Sequence, residues 1–328
     1  MKPEEVKNTL EAIAGARVTV LGDLCLDENV VGRGDAVAKE APVIVVTGER
    51  RVFAPGQASN VAANCAALGA ETYIIGTVGA DEAGERLVTI LTDLGVNTDG
   101  IVIDSDQPTT HKVKVVGREP QRLEQHLLHV YWHSSETRNP ETLAAVYDRY
   151  AEAIKGSNAS VLSDYGYGVV SEEEQIKTAA GTAGGAGVRT VLNTRGALPR
   201  SADLDAVIAN AEEVAEVVPS ASNGTEALID AIPDAAATVG CGSLIVTVGS
   251  RGMYVWPIDD AVVHLPSVAE TVVDITGAGD TVTAAVACAL SANLDLRTAA
   301  GLANSAAAVV VAKEGTSTAK REEILELF

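Results

Sequence analysis

Short runs of β-branched and aliphatic residues alternate along the chain with longer stretches rich in alanine, glutamate and leucine. The apolar runs lie at residues 16–21, 72–78, 160–162, 190–192, 206–209 and 243–248. Such alternation is typical of βαβ units, in which helices cover both faces of a parallel sheet. The pattern therefore predicts an α/β protein with three layers, α/β/α, around a mostly parallel central sheet.

Two segments interrupt this alternation, one at about residues 26–53 and the other at about residues 101–132. Both alternate β-branched with polar residues and lack the apolar stripe of a helix, so they predict antiparallel strands. We expect the two segments to form a small β-sheet over the active site. No internal repeat, low-complexity tract or linker divides the chain, which favours one domain over residues 1–328.

The chain carries 45 acidic and 24 basic side chains, which give a formal net charge of −21. This charge argues against binding to nucleic acid or to anionic membranes, because both need a basic surface. No stretch approaches the ~20 apolar residues of a membrane helix, and the first residues are charged, so we expect a cytoplasmic protein. The four cysteines are scattered without a Cys-x-x-Cys pair, which favours buried free thiols.

The most informative motif is a glycine-rich turn between two apolar segments. Residues 271–274 predict a strand and residues 282–290 a helix, with Gly277 and Gly279 between them. Glycine adopts backbone angles that side chains forbid and lets a ligand approach the backbone closely. The first N–H groups of a helix lack partners and attract negative charge. The turn therefore predicts a phosphate site at the amides of Gly277, Ala278 and Gly279.

Asp280 follows this turn at the entrance of the predicted helix. A carboxylate in that position lies beside a bound phosphate and can accept the proton of an attacking hydroxyl. The motif thus predicts phosphoryl transfer, with Asp280 as the catalytic base. An acidic residue in the first turn of a helix also favours the helix dipole, so the carboxylate alone does not decide the function.

The Asp-x-Thr-Gly-Ala-Gly-Asp-Thr string at residues 274–281 resembles the carboxy-terminal signature of the ribokinase-like (PfkB) sugar kinases. The resemblance implies a ribokinase-like fold, ATP as the phosphoryl donor and Mg²⁺ at the phosphates. It also implies that the inserted strands form a lid over the sugar, often shared across a homodimer. The implied acceptor is a small-molecule sugar or sugar phosphate.

Other residues match the sugar site of this family. The family's Gly-x-x-x-x-Asp pattern places the second carboxylate on the sugar, which selects Asp27. Gly56 and Asn60 match its amino-terminal Gly-Gly and Asn signature, although Gln57 replaces the second glycine. Asp164 follows a predicted strand, where a parallel sheet collects substrate-binding groups. The predicted substrate-binding residues are therefore Asp27, Gly56, Asn60 and Asp164.

The resemblance implies a nucleotide site on the carboxy-terminal half. The family's Asn-x-x-Glu element organises the magnesium and phosphate region through water, and Glu213 is its acidic residue here. In potassium-activated members, a carboxylate and a backbone carbonyl bind the cation, and Asp274 and Thr276 match these positions. The predicted nucleotide-binding residues are Asn210, Thr247, Gly249 and Asn304.

Within the family, the chain leans toward the subgroup that phosphorylates heptose 7-phosphate. The motifs that carry this likeness include Lys-Glu-Ala-Pro-Val at residues 39–43 and Ser-Asp-Tyr-Gly at residues 163–166. Tyr167 stands where that subgroup usually has lysine, and residues 125–129 replace its Arg-x-Asp-x-Glu pattern. These changes remove basic groups from a pocket for a sugar phosphate, so other acceptors stay open. The alternatives are a nucleoside or other small-molecule kinase and a non-catalytic sugar- or nucleotide-binding protein of the same fold.

Three histidines, His126, His129 and His133, lie in the second inserted segment. Residues three apart in a strand face opposite sides of the sheet, so we expect His126 and His129 to point apart. This expectation favours a solvent-facing or interface role for the histidines over a metal site.

Overall fold

The computed structural model describes residues 2–118, 125–134, 138–258 and 261–328. The strands are β1 (Arg17–Gly22), β2 (Leu24–Val37), β3 (Ile44–Gln57), β4 (Glu71–Gly79), β5 (Ile101–Asp104), β6 (Thr110–Arg118), β7 (Gln125–Trp132), β8 (Ala159–Asp164), β9 (Arg189–Thr194), β10 (Ala206–Asn210), β11 (Leu244–Thr247), β12 (Met253–Ile258) and β13 (Ala261–Leu265). The α-helices are α1 (Pro3–Ile13), α2 (Ala58–Ala67), α3 (Glu82–Asp93), α4 (Pro140–Ile154), α5 (Glu173–Gly185), α6 (Ala211–Val217), α7 (Thr225–Val239), α8 (Ala278–Ser291), α9 (Leu296–Val311) and α10 (Arg321–Leu325).

The large sheet has nine strands in the order β13-β12-β11-β10-β9-β8-β1-β4-β5. From β11 to β5, neighbouring strands pair in parallel, and β12 and β13 add an antiparallel hairpin at one edge. Parallel neighbours need crossover connections, which the helices supply. The carboxyl ends of the parallel strands therefore meet along one edge of the sheet.

Helices cover both faces of the large sheet. Val18 and Val20 of β1 pack on one face with α2, α8 and α9, whereas Leu21 joins the opposite apolar cluster with α4 to α7. Every residue of α8 from Asp280 to Ser291 is buried, so α8 is the central helix of its layer. The three-layer α/β/α architecture with a mostly parallel sheet confirms the predicted fold class.

The small sheet has four strands in the order β3-β2-β6-β7. The pairs β2–β3 and β6–β7 are antiparallel, as the sequence predicts, but β2 and β6 are parallel. The reason is topological, because the chain between β2 and β6 passes through β3, α2, β4, α3 and β5 and returns as a crossover. In the second predicted segment, Ile101–Asp104 belongs to the large sheet, so the small sheet resumes at Thr110.

The predicted strands of the large sheet correspond to β1, β4, β8, β9, β10 and β11. The strand predicted at 271–274 is wrong, because these residues form an irregular connection before α8. The N–H groups of Val273 and Asp274 both donate to the carbonyl of Val311, at 2.7 and 3.2 Å, and this fixes the connection against the end of α9. The predicted helix at 282–290 lies within α8.

All four cysteines are buried and free, as the sequence predicts. Burial raises the pKa of the Cys25 thiol well above its ordinary value, so this thiol stays protonated near neutral pH. Among the helices in the described part of the chain, none combines the length and the apolar character needed to cross a membrane.

Candidate active site

Several residues selected from the sequence lie where the parallel strands end. Asp164 ends β8, Asn210 ends β10 and Thr247 ends β11. The amino-terminal end of α8 reaches the same edge, because Asn193 of β9 donates from Nδ2 to the Asp280 carboxylate at 3.2 Å. The topology therefore brings the glycine turn and these strand ends together, as expected for a parallel sheet.

The glycine turn offers free amides to a ligand. Gly277 precedes α8 with a φ of 80°, a left-handed conformation that favours glycine, and a Cβ there would lie 2.6 Å from Nδ2 of Asn60. The sequence predicts that Ala278 offers its amide to a phosphate, but its N–H already donates to the carbonyl of Ile275 at 3.2 Å. Among the described residues, no backbone or side-chain acceptor receives the N–H of Gly279 or Asp280. The start of α8 therefore suits an anion.

Asp280 is buried, with 4% of its surface exposed, and its carboxylate accepts hydrogen bonds from three side chains. Asn60 Nδ2 donates to Oδ2 at 3.0 Å, while the Tyr165 hydroxyl and Asn193 Nδ2 donate to Oδ1. Burial raises the pKa of Asp280, and the bonds from Tyr165 and Asn60 and the charge of Arg195 oppose part of that rise. The carboxyl group thus combines a raised pKa with a fixed orientation.

Arg195 is a basic residue of this site that sequence reasoning missed. Its Nη2 lies 3.6 Å from the position that a Cβ on Gly279 would occupy, so the guanidinium is close to the free amides. Burial lowers the pKa of Arg195, but Tyr165 and Asp280 raise it by more, and the side chain stays charged. The sequence signal that could have identified Arg195 is its position directly after β9, because functional side chains often follow parallel strands.

Tyr165 belongs to a loop that the buried carboxylate of Asp23 holds in place. Asp23 accepts from the backbone N–H groups of Tyr165, Tyr167 and Val169 at 2.9, 3.0 and 3.1 Å. Burial raises the pKa of Asp23, although these N–H groups favour its charged form. The loop, in turn, directs the Tyr165 hydroxyl to Asp280.

The carboxylate of Asp164 points into the protein. Its Oδ1 accepts from the Gly166 N–H at 2.8 Å, and its Oδ2 accepts from the Thr194 hydroxyl at 2.6 Å. Only 2% of the residue is exposed. In this geometry the Asp164 carboxylate joins β8 to β9, and its contact with substrate stays a prediction.

Asp27 lies on β2 beside Gly56 of β3. A Cβ at Gly56 would lie 2.7 Å from a carboxylate oxygen of Asp27, so glycine leaves the space that this carboxylate occupies. The Thr316 hydroxyl donates to Asp27 Oδ2 at 2.6 Å. The charge of Asp27 contributes to the raised pKa of Asp280.

Asn60 is 1% exposed and uses its side chain inside the protein. Besides the bond to Asp280, its Oδ1 accepts from Nδ2 of Asn64 at 3.0 Å. Oδ1 of Asn64 accepts from the Ala319 N–H at 3.1 Å and from the Thr281 hydroxyl at 3.3 Å. Asn60 therefore orients Asp280, and its contact with substrate stays a prediction.

Asn210 and Glu213 form a capping box at the start of α6. The Glu213 carboxylate accepts from the backbone N–H and the side-chain amide of Asn210, both at 2.8 Å. Burial raises the pKa of Glu213, while the Asn210 N–H and the charge of Arg195 lower it in part. The motif thus caps a helix. It also places the Glu213 carboxylate where the charge of Arg195 acts on it.

A cavity of about 260 Å³ opens next to the glycine turn. The predicted nucleotide residues Thr247, Gly249 and Asn304 line it, together with Ala278 and Gly279 of the glycine turn. Its apolar walls include Val272, Ile275, Val282, Ala307, Ala308 and Val311. Apolar walls that lead to free amides match a ligand with a flat apolar part and an anionic part, which a nucleotide is.

Asp274 fastens the connection before the glycine turn. Its Oδ1 accepts from the N–H and the hydroxyl of Thr276 at 2.9 and 2.7 Å, and its Oδ2 accepts from the Gly315 N–H at 3.0 Å. Burial favours the neutral acid, but these hydrogen bonds outweigh it and lower the pKa of Asp274. An ionised oxygen ligand is therefore present at the predicted cation position.

His126 and His129 lie on the same face of β7, so the expectation that they point apart is wrong. Nδ1 of His126 is 2.9 Å from Nε2 of His129. Opposite Val115 and Val116 of β6, the register skips one residue of β7, and this bulge breaks the alternation between the two histidines. Within the described ranges, no group of three or more His, Cys, Asp or Glu side chains is arranged to hold a metal ion.

Comparisons with known proteins identify the family of this chain. The sequence matches the pfkB family of carbohydrate kinases over residues 17–323. It is 34% identical over 317 residues to the bifunctional protein HldE of Bradyrhizobium diazoefficiens, an alignment that covers 96% of this chain and 63% of that protein. It is also 34% identical over 323 residues to HldE of Shewanella amazonensis, covering 98% and 65%. The chain thus spans less than two thirds of the length of these relatives.

Solved structures share the fold at lower identity. The ribokinase of Arabidopsis thaliana complexed with ribose and ATP has a TM-score of 0.73 at 22% identity, with 96% of this chain and 98% of that chain covered. Phosphofructokinase-2 from Escherichia coli in complex with potassium has a TM-score of 0.79 at 19% identity, with 95% and 98% covered. From the family match over nearly its whole length, and from the fold, this chain belongs to the pfkB family of carbohydrate kinases.

Proposed function

We propose that the protein transfers a phosphoryl group from ATP to a hydroxyl of a sugar phosphate, with heptose 7-phosphate as the favoured acceptor. One observation carries the proposed chemistry: an oriented carboxylate, that of Asp280, adjoins free amides at the end of a cavity suited to a nucleotide. The motifs shared with the heptose 7-phosphate kinase subgroup and the similarity to HldE proteins support the acceptor.

Asp280 accepts the proton of the attacking hydroxyl in this proposal. Three donors already hold its carboxylate, so it is oriented before the acceptor arrives and little reorganisation is needed. Asp27, beside Gly56 and Thr316, accepts hydrogen bonds from other hydroxyls of the sugar. The two carboxylates together define which hydroxyl reaches Asp280.

The migrating phosphoryl group binds at the amides of Gly279 and Asp280, next to the Arg195 guanidinium. Donors that are fixed before the reaction stabilise the negative charge of the transition state more effectively than mobile water does. In a chain with a net charge of −21, this positive potential has to be local, and Arg195 supplies it.

The nucleotide lies in the cavity lined by Thr247, Gly249 and Asn304. Magnesium would supply charge neutralisation at the phosphates when it is bound, and Glu213 would hold it through water. Asp274 and the Thr276 carbonyl are the ligands that we assign to a monovalent cation such as potassium, because hard oxygen ligands suit such an ion.

The small sheet forms a lid over the acceptor and a homodimer interface in this proposal. It exposes large apolar side chains, including Val37 of β2 and its register partner Ile44 of β3, which are 67% and 54% exposed. Exposed apolar patches of this kind mark interaction surfaces. Sedimentation velocity at micromolar concentration tests this interface, and a single monomeric species would exclude it.

ADP release, coupled to a reporter reaction, tests the function as a whole. The acceptors are heptose 7-phosphate, free heptose, ribose, fructose and a nucleoside, each with and without Mg²⁺ and with and without K⁺. We expect selective, magnesium-dependent turnover of heptose 7-phosphate. Selective turnover of the nucleoside would instead favour a nucleoside kinase, and no turnover of any acceptor would favour a binding protein.

The substitution Asp280→Asn removes the base while keeping the size of the side chain. We expect turnover to decrease by about 10²- to 10⁴-fold, the usual contribution of a positioned general base, with sugar and nucleotide binding largely intact. The measurement is turnover at saturating substrates together with binding by calorimetry. The control is Asp230→Asn on the exposed surface of α7, and wild-type turnover in Asp280→Asn would contradict the base role.

The substitution Tyr165→Phe removes one hydrogen bond to Asp280 and keeps the ring. Because that bond favours the carboxylate, its loss raises the pKa of Asp280 further. The base is active when ionised, so the fall in kcat/KM on the acidic side should begin at a higher pH than in the wild type. Tyr73→Phe is the control, since its hydroxyl bonds Glu71 away from the site. An unchanged pH profile in Tyr165→Phe would exclude this coupling.

A further inference from the structure

Two lysines of β6 share one face of the small sheet with Asp27. The strand register places Lys112 opposite Asp27 of β2 and Tyr131 of β7, and it places Lys114 opposite His129 of β7. Residues that are opposite in register, and residues two apart in a strand, point to the same side. Lys112, Lys114 and His129 therefore lie on the side of the sheet that carries Asp27.

This face is turned toward the active site. Lys112 Nζ lies 5.8 Å from the ring centroid of Tyr165 and 5.6 Å from that of Tyr167. Since the Tyr165 hydroxyl donates to Asp280, one tyrosine side chain separates the Lys112 ammonium from the proposed base. Lys114 lies close enough to Asp274, before the glycine turn, for its charge to help lower the pKa of that carboxyl.

Neither lysine has a carboxylate at ion-pair distance in the part of the chain that the structure describes. Asp27 is opposite Lys112 in register, but its carboxylate accepts from Thr316 instead. Both lysines are only partly exposed, in a chain with 45 acidic and 24 basic side chains. Because no ion pair among the described residues holds either ammonium group, both can bind an anion from outside the chain.

The imidazole of His129 extends this basic surface. His129 is opposite Lys114 in register, and its two nitrogens contact the His126 ring at 2.9 Å and the Tyr131 hydroxyl at 3.2 Å. These contacts hold the ring beside the lysine. His129 thus adds a hydrogen-bonding group next to two ammonium groups.

We propose that Lys112 and Lys114, with His129 beside them, bind a phosphate monoester that the acceptor already carries. The inference rests on the proposed function and deepens it, because it assigns residues that select a sugar phosphate over a free sugar. It also accounts for Tyr167, where the related subgroup has lysine. The ammonium group of Lys112 lies near the Tyr167 ring. Lys112 of β6 therefore supplies positive charge close to the position where the subgroup has its lysine.

Binding without nucleotide tests the subsite independently of catalysis. Calorimetry compares three pairs of ligands: pentose and pentose 5-phosphate, hexose and hexose 6-phosphate, and heptose and heptose 7-phosphate. The variants are Lys112→Met and Lys114→Met, which keep side-chain length and remove charge. The conservative variants Lys112→Arg and Lys114→Arg keep the charge. The remote control is Lys155→Met at the C-cap of α4, where the lysine side chain is 69% exposed.

We expect the wild type to prefer at least one phosphorylated sugar over its free partner. Each Met variant should lose about 10- to 100-fold in affinity for that phosphorylated sugar, as expected for a charge-assisted hydrogen bond, with little change for the free sugar. The Arg variants and Lys155→Met should keep the preference. Circular dichroism and the KM for ATP, where turnover is measurable, check that each variant is folded.

The subsite is wrong if no phosphorylated sugar is preferred, or if the Met variants lose equal affinity for both members of a pair. Turnover then separates the two proposals. Phosphate preference without turnover would keep the subsite and reject the kinase function, whereas turnover of free sugars without phosphate preference would keep the kinase and reject the subsite.

Discussion

The hydrogen bonds that converge on the Asp280 carboxylate are the constraint on which the rest of the site depends. They join α8 to α2 through Asn60, to β9 through Asn193 and to the loop after β8 through Tyr165. A buried carboxylate without donors would be strongly destabilising, so these bonds offset much of the cost of its burial. They also fix its direction, which positions the proposed base beside the free amides of the glycine turn.

A second set of contacts keeps those donors in place. Asp23 holds the loop that carries Tyr165, through bonds to three backbone N–H groups, and Asn64 holds Asn60. Gly277 matters for a steric reason, because any Cβ there would meet the Asn60 amide. These buried polar residues thus form one connected hydrogen-bond network around the Asp280 carboxylate. A change in any of them would disturb the orientation of that carboxylate.

Features that depend on neighbouring residues can be predicted from the sequence. Contacts between residues that the topology brings together from distant parts of the chain cannot. Buried strands and the Gly277-to-Asp280 turn are predictable because each depends on neighbouring residues. Tyr165 and Asn193 are 115 and 87 residues from Asp280, and only the crossovers of the parallel sheet bring them together. The strand predicted at 271–274 is wrong for a related reason: Val272 lines the cavity, so its apolar character reflects a cavity wall and not a sheet. The bulge in β7 likewise could not be predicted, because the sequence spacing of its histidines does not indicate it.

We propose that a nucleotide and an acceptor meet between the Gly279 amide and the Asp280 carboxylate. A crystal structure with a non-hydrolysable ATP analogue, Mg²⁺ and heptose 7-phosphate tests this proposal. We expect a terminal phosphate at the amides of Gly279 and Asp280, with one acceptor hydroxyl at hydrogen-bond distance from the carboxylate. A phosphate bound elsewhere, or an acceptor that leaves Asp280 in contact with protein donors alone, would contradict it.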